Sequence, residues 1–116
     1  MHIDHPMIRR TERRDPWPRL LSEVLTLAGP RAELVRHTER AWSSVTFSGT
    51  RHTIALAFAE VEAIAQGEAY LAALPEHEFT IPAHLVADAA VVAVEHETIP
   101  CPRMIVEAEL LLLDGA

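Results

Sequence analysis

Two periods of hydrophobic and polar residues take turns along this chain. Trp17, Leu20, Leu21, Val24 and Ala28 recur at helical spacing between Asp15-Pro16-Trp17-Pro18 and Gly29-Pro30. Asp15 can accept from orphan amides there, both prolines fall in the first turn, and Gly-Pro is a stop, so a short amphipathic helix is predicted. Residues 31–41, RAELVRHTERA, fit either a helical face through Leu34, Val35, Thr38, Ala41 and Trp42 or an extended run, and the extended reading is preferred.

From Trp42 the period is two. In WSSVTFSGTRHTIALAF both halves are rich in strand formers, and Gly49-Thr50 suits a type II′ hairpin turn. Counting outward, Phe47 faces His52, Val45 faces Ile54 and Ser43 faces Leu56, which puts Phe47, Val45, His52, Ile54, Leu56 and Phe58 on one core face. Residues 59–74 return to helical spacing, with Val61, Ile64, Ala65, Ala69, Leu71 and Ala72 inward and Glu60, Glu62, Gln66 and Glu68 outward. Gly67 costs such a helix about 1 kcal/mol relative to alanine unless a strand approaches closely there.

The last third, Phe79 to Leu113, holds two long extended runs about Thr98-Ile99-Pro100-Cys101-Pro102, a second hairpin. If Glu97 pairs with Arg103, Asp88 opposes Leu112 on the even face. The fold class that follows is α+β: a two-layer helix-hairpin-helix-hairpin (αββαββ) with a four-stranded antiparallel sheet and two helices on one face. Residues 1–15 read as a mobile N-terminal arm, and residues 16–116 as a single domain. The outer sheet face is rich in small apolar residues up to Glu107 and Glu109. An uncovered face of that kind predicts a homo-oligomer assembled through it.

Composition narrows the function classes. Formal charge is −7, and the four arginines of residues 1–15 leave six against fourteen acids in the remainder, a surface that repels phosphate backbones, so no nucleic-acid partner is expected. No apolar run reaches the ~18 residues that span a bilayer, and no secretory signal is visible, so no membrane partner is expected. The lone Cys101 predicts a reducing, cytoplasmic setting. The four glycines show no phosphate-loop spacing, and no GxSxG occurs.

Three sets of residues could carry chemistry. His84 and Asp88 lie ~13 Å apart along one strand, too far to bond directly, but His52 on the first hairpin could meet either and form a carboxylate-oriented general base. His37 and Glu39 share a face of an extended segment and, with Trp42, could rim a ligand pocket. His77 and His96 each lie between two glutamates, without HExxH or His/Cys spacing, so no metal and no cofactor are expected. The leading expectation is a homo-oligomeric binding or assembly domain, with a small cofactor-free enzyme or small-ligand-binding protein using His52, His84 and Asp88 as the alternative.

Overall fold

The computed structural model describes residues 15–115. Its elements in chain order are helix α1 (Trp17–Ala28), strands β1 (Glu33–Ser43) and β2 (Ser48–Ala59), helix α2 (Glu60–Ala73), a 3-10 turn (Leu74–Glu76), and strands β3 (His84–Glu97) and β4 (Arg103–Asp114). The four strands form one sheet in the order β1-β2-β4-β3, each neighbour antiparallel. The predicted arm of residues 1–15 falls almost wholly outside the described residues.

Helix α1 begins as its sequence requires, with the Trp17 N–H donating to Asp15 Oδ1 at 3.1 Å and Pro18 in the first turn. Leu20, Val24 and Ala28, spaced by four, bury one stripe. They join Ile54, Leu56 and Phe58 of β2, and Met104, Val106, Ala108, Leu110 and Leu112 of β4, in one core with Ala63 and Tyr70 of α2.

Helix α2 turns a different face inward from the one its apolar spacing predicts. Its buried residues are Ala63, Gly67 and Tyr70, while Val61 is 74% exposed. The reason is Gly67, which lets the helix settle onto the sheet: a Cβ there would lie 2.8 Å from the Phe58 ring and 2.5 Å from Met104 Cε. Seating the helix on its smallest residues brings the Tyr70 ring to 6.0 Å from Phe58.

The first hairpin corrects the predicted turn. Its loop is residues 44–47, not Gly49-Thr50: Ser43 pairs with Ser48, the Ser44 N–H donates to the Phe47 carbonyl at 2.7 Å, and the Phe47 N–H donates to Ser44 Oγ at 3.1 Å. The extended reading of residues 31–41 therefore belongs to a strand that runs on to Ser43, and His52 faces Glu39 instead of Phe47. Gly49 serves another purpose, since any Cβ there would run into the Leu112 carbonyl of β4.

The second hairpin starts in the predicted register, with Glu97 opposite Arg103, and then departs from it twice. Irregularities between Val91 and Ala93 and between Val86 and Asp88 each add one residue to β3, and each reverses which side chains face the core. Between them Ala89 and Val91 pack on the core, whereas Asp88 opposes Leu111 instead of Leu112 and is exposed on the outer face. That outer face carries ion pairs beside its apolar residues Ala55, Ala57, Ile105, Leu111 and Leu113. Arg36 pairs with Glu107 at 3.5 Å, Arg51 with Glu109 at 3.6 Å and Arg103 with Glu97 at 3.7 Å across it.

The packing at Gly67 sets a test. Gly67→Ala gains about 1 kcal/mol of helix propensity but overpacks against Phe58 and Met104, for a net loss of about 1–2 kcal/mol in urea unfolding. A variant as stable as the parent would contradict this packing.

Candidate metal centre

The β1–β2 register fixes the site. Glu39 lies opposite His52 and His37 opposite Ile54, so His37, Glu39 and His52 all project from the helix-side face. Trp17, the first residue of α1, lays its ring flat on His37, with centroids 3.4 Å apart and planes 5° from parallel. The His52 ring continues that plane, 12° from His37.

His37 Nε2 and His52 Nδ1 are 2.9 Å apart, so one ring's N–H donates to the other's lone pair. Their ring centroids are 5.2 Å apart, close to the longest separation two imidazoles can have at that N···N distance. Only a straight, in-plane N–H···N bond gives such a value. Glu39 Oε2 sits beside the bond, 3.7 Å from His37 Nε2 and 3.9 Å from His52 Nδ1. His52 is 1% exposed, whereas the Glu39 side chain is 52% exposed, so the cluster runs from solvent into the core.

Burial favours the neutral form of both rings. Burial pushes the His37 imidazole below its ordinary pKa, against the opposing pull of Glu39 and Asp15. Burial does the same to His52, helped by the neighbouring His37 and His84 and opposed by Glu39 and Asp15. Neutral imidazoles hydrogen-bond in pairs and also have the lone pairs that a metal needs.

These three side chains are, among the described residues, a group of ligand types whose donor atoms lie within 4.8 Å of one another. Their separations of 2.9, 3.7 and 3.9 Å define a triangle with a circumradius of about 2.1 Å, so one ion could touch all three atoms at zinc–nitrogen and zinc–carboxylate bond lengths of ~2.0–2.2 Å. Ligation requires both rings to turn, because their lone pairs now point along the hydrogen bond and not at that common point. An ion bound there would take the place of the shared proton.

The other residues singled out from the sequence lie elsewhere. Asp88 is on the outer face, so the His52–Asp88 meeting does not occur. His84 lies near one end of β3 with Nδ1 donating to the Pro82 carbonyl at 2.9 Å and Nε2 3.7 Å from Asp114. Trp42 pairs with Gly49 on the face opposite to His37 and Glu39, so the aromatic partner of that pair is Trp17. A turn at Gly49-Thr50 is incompatible with the His37–His52 contact, and Ser44, a turn former in its own right, is the sequence signal for the observed register. Comparisons with family models, with curated proteins and with solved structures give no match. No helix among the described residues is long and apolar enough to cross a membrane.

A pH dependence follows. The folded-state pKa values of His37 and His52 are depressed from 6.5, so the unfolded chain binds more protons below that pH. The stability of the neutral pair is complete above pH 6.5 and is lost as pH falls through the depressed folded values. Glu23 acts in a lower window: burial works against its carboxylate, but the Thr80 N–H, Arg19 and His77 outweigh it and hold it below 4.5. Thermal melts should show Tm falling between about pH 7.5 and about pH 5, and His52→Leu should flatten that slope. A flat profile in the parent, or an unchanged slope in the variant, would contradict the neutral pair.

Proposed function

We propose that the protein binds one divalent transition-metal ion through His37 Nε2, His52 Nδ1 and the Glu39 carboxylate. The observation that carries this reading is the single point about 2.1 Å from all three donor atoms, at the distance of zinc bonds. The scaffold is the helix-hairpin-helix-hairpin arrangement with both helices against one sheet face, in which Trp17 of α1 holds the His37 ring. Two imidazoles and one carboxylate favour zinc, iron, cobalt or nickel over calcium and magnesium, which prefer all-oxygen sites. Three protein ligands, one of them exposed, leave coordination positions open to solvent. This departs from the expectation of no metal, which rested on spacing along the chain and not across strands.

The lone Cys101 supports a cytoplasmic location for such a protein. A homo-oligomer is a second reading. It is favoured by Leu85, Val92 and Val94 of β3 and Ile99 of its hairpin loop, which are 61, 50, 41 and 85% exposed. Light scattering at micromolar concentration should give more than one chain's mass, and a monomer would remove it.

The metal reading is tested by titrating zinc and cobalt into chelator-treated protein carrying His2→Ala and His5→Ala, which keeps the N-terminal imidazoles out of the measurement. One ion per chain should bind, and His37→Ala or Glu39→Gln should each weaken binding by about tenfold or more. Glu39 is half-exposed, so Glu39→Gln should melt like the parent and separate ligation from folding. Absent binding, or binding unchanged in both variants, would sink the proposal.

A further inference from the structure

The reverse side of the same ladder rungs carries a second constellation. Arg40 and Arg51 are directly opposite one another in the β1–β2 pair, and Thr38 and Thr53, two residues along each strand, are opposite as well. All four side chains project from the outer face, where with Glu109 they line a polar cleft of about 290 Å³ that Glu39, whose side chain points to the helix side, also borders. Like charges directly opposite on a ladder are destabilising. In a chain with a net charge of −7 such a pair is not a by-product of excess arginine.

The ion pairs single out Arg40. Arg19, Arg31, Arg36, Arg51 and Arg103 each have a carboxylate within 3.7 Å, at Glu23, Glu62, Glu107, Glu109 and Glu97. Arg40 has none among the described residues, although the whole chain carries 17 acids against 10 arginines. Arg40 is exposed, while the Arg51 side chain is half-buried and steadied by Glu109 at 3.6 Å.

We infer that this cleft binds a small oxyanion, the carboxylate or phosphate group of a small molecule. Arg40 supplies the uncommitted planar fork that matches either group bidentately. Arg51 supplies a second positive charge whose position Glu109 fixes, and the Thr38 and Thr53 hydroxyls supply donors along the adjacent rung. The anion relieves the Arg40–Arg51 repulsion on binding. Glu109 restricts the site to one anionic group, because a second would meet its carboxylate. The site is independent of the metal reading, since the two lie on opposite faces of the sheet and Glu39, the residue common to both linings, turns its carboxylate to the helix side.

The test is an amide chemical-shift titration of the full-length, isotope-labelled protein with sodium phosphate and, separately, sodium acetate, at ionic strength held constant with sodium chloride. Saturable shifts centred on Thr38, Arg40, Arg51 and Thr53 are expected, and which salt produces them tells a phosphate ligand from a carboxylate one. Arg40→Gln should weaken binding by about tenfold or more, while Arg36→Gln, on the same face but outside the cleft, should leave it unchanged. Arg40→Gln without anion should melt no lower than the parent, which separates a binding role from a structural one. Absence of saturation with both salts, equal binding by Arg40→Gln, or a lower Tm for that variant without anion would overturn the inference.

Discussion

The hydrogen bond between the His37 and His52 imidazoles ties together three parts of the molecule. It bridges β1 and β2 on the core side, it ends at a fully buried ring, and it carries on its outer ring the stacked indole that anchors the start of α1. A buried imidazole that took up a proton would have to be paired or lose its solvation, so burial favours the neutral pair, and a proton on both rings would remove the acceptor and break the bond. Glu39, beside the bond and open to water, offers compensation for a positive charge arriving there, whether proton or metal ion. The same three side chains therefore hold the structure together as they stand and, with both rings turned, would supply the proposed ligand set.

Register is what makes this possible. One residue of slippage between β1 and β2 would send His37 and Glu39 to the outer face and bring Arg40 and Arg36 over the core. The two faces are consequently specified together: imidazoles and one carboxylate on the helix side, arginines and threonines behind them. At the other edge of the sheet, the two irregularities of β3 do the reverse. They turn Asp88 out and let Val86, Ala89 and Val91 reach the core from positions that a uniform period of two would split between faces.

Much of the fold was legible in the residues because it depends on local signals. The α1 boundaries follow from Asp15, Pro18 and Gly29, the second loop from Pro100 and Pro102, and the α+β class from the alternation of periods. Less legible were features in which two local signals compete or none exists. Ser44 and Gly49 both favour turns, and pairing of a long β1 decided for Ser44. Ala87 and Val92 are ordinary strand residues, with no glycine to mark the extra residue in the ladder. The buried face of α2 depends on Gly67 meeting Phe58 and Met104, contacts made only after the sheet forms. The site is the least legible part: alternation alone puts His52 on the core face, but its partner comes from a strand whose register a Gly49-Thr50 turn would displace. The spacing pairs His37 with Glu39 and points to Trp42, whereas the tryptophan against His37 is Trp17.

The central claim is that His37, Glu39 and His52 converge on one ion that replaces the proton between the two rings. It is tested most directly by crystals grown with zinc and measured on both sides of the zinc absorption edge. The account predicts an anomalous peak about 2.1 Å from His37 Nε2, His52 Nδ1 and a Glu39 carboxylate oxygen, with the two rings turned out of line. Rings still joined by a straight N–H···N bond, with zinc absent or held only at exposed groups such as Glu95, His96 and Glu97, would contradict it.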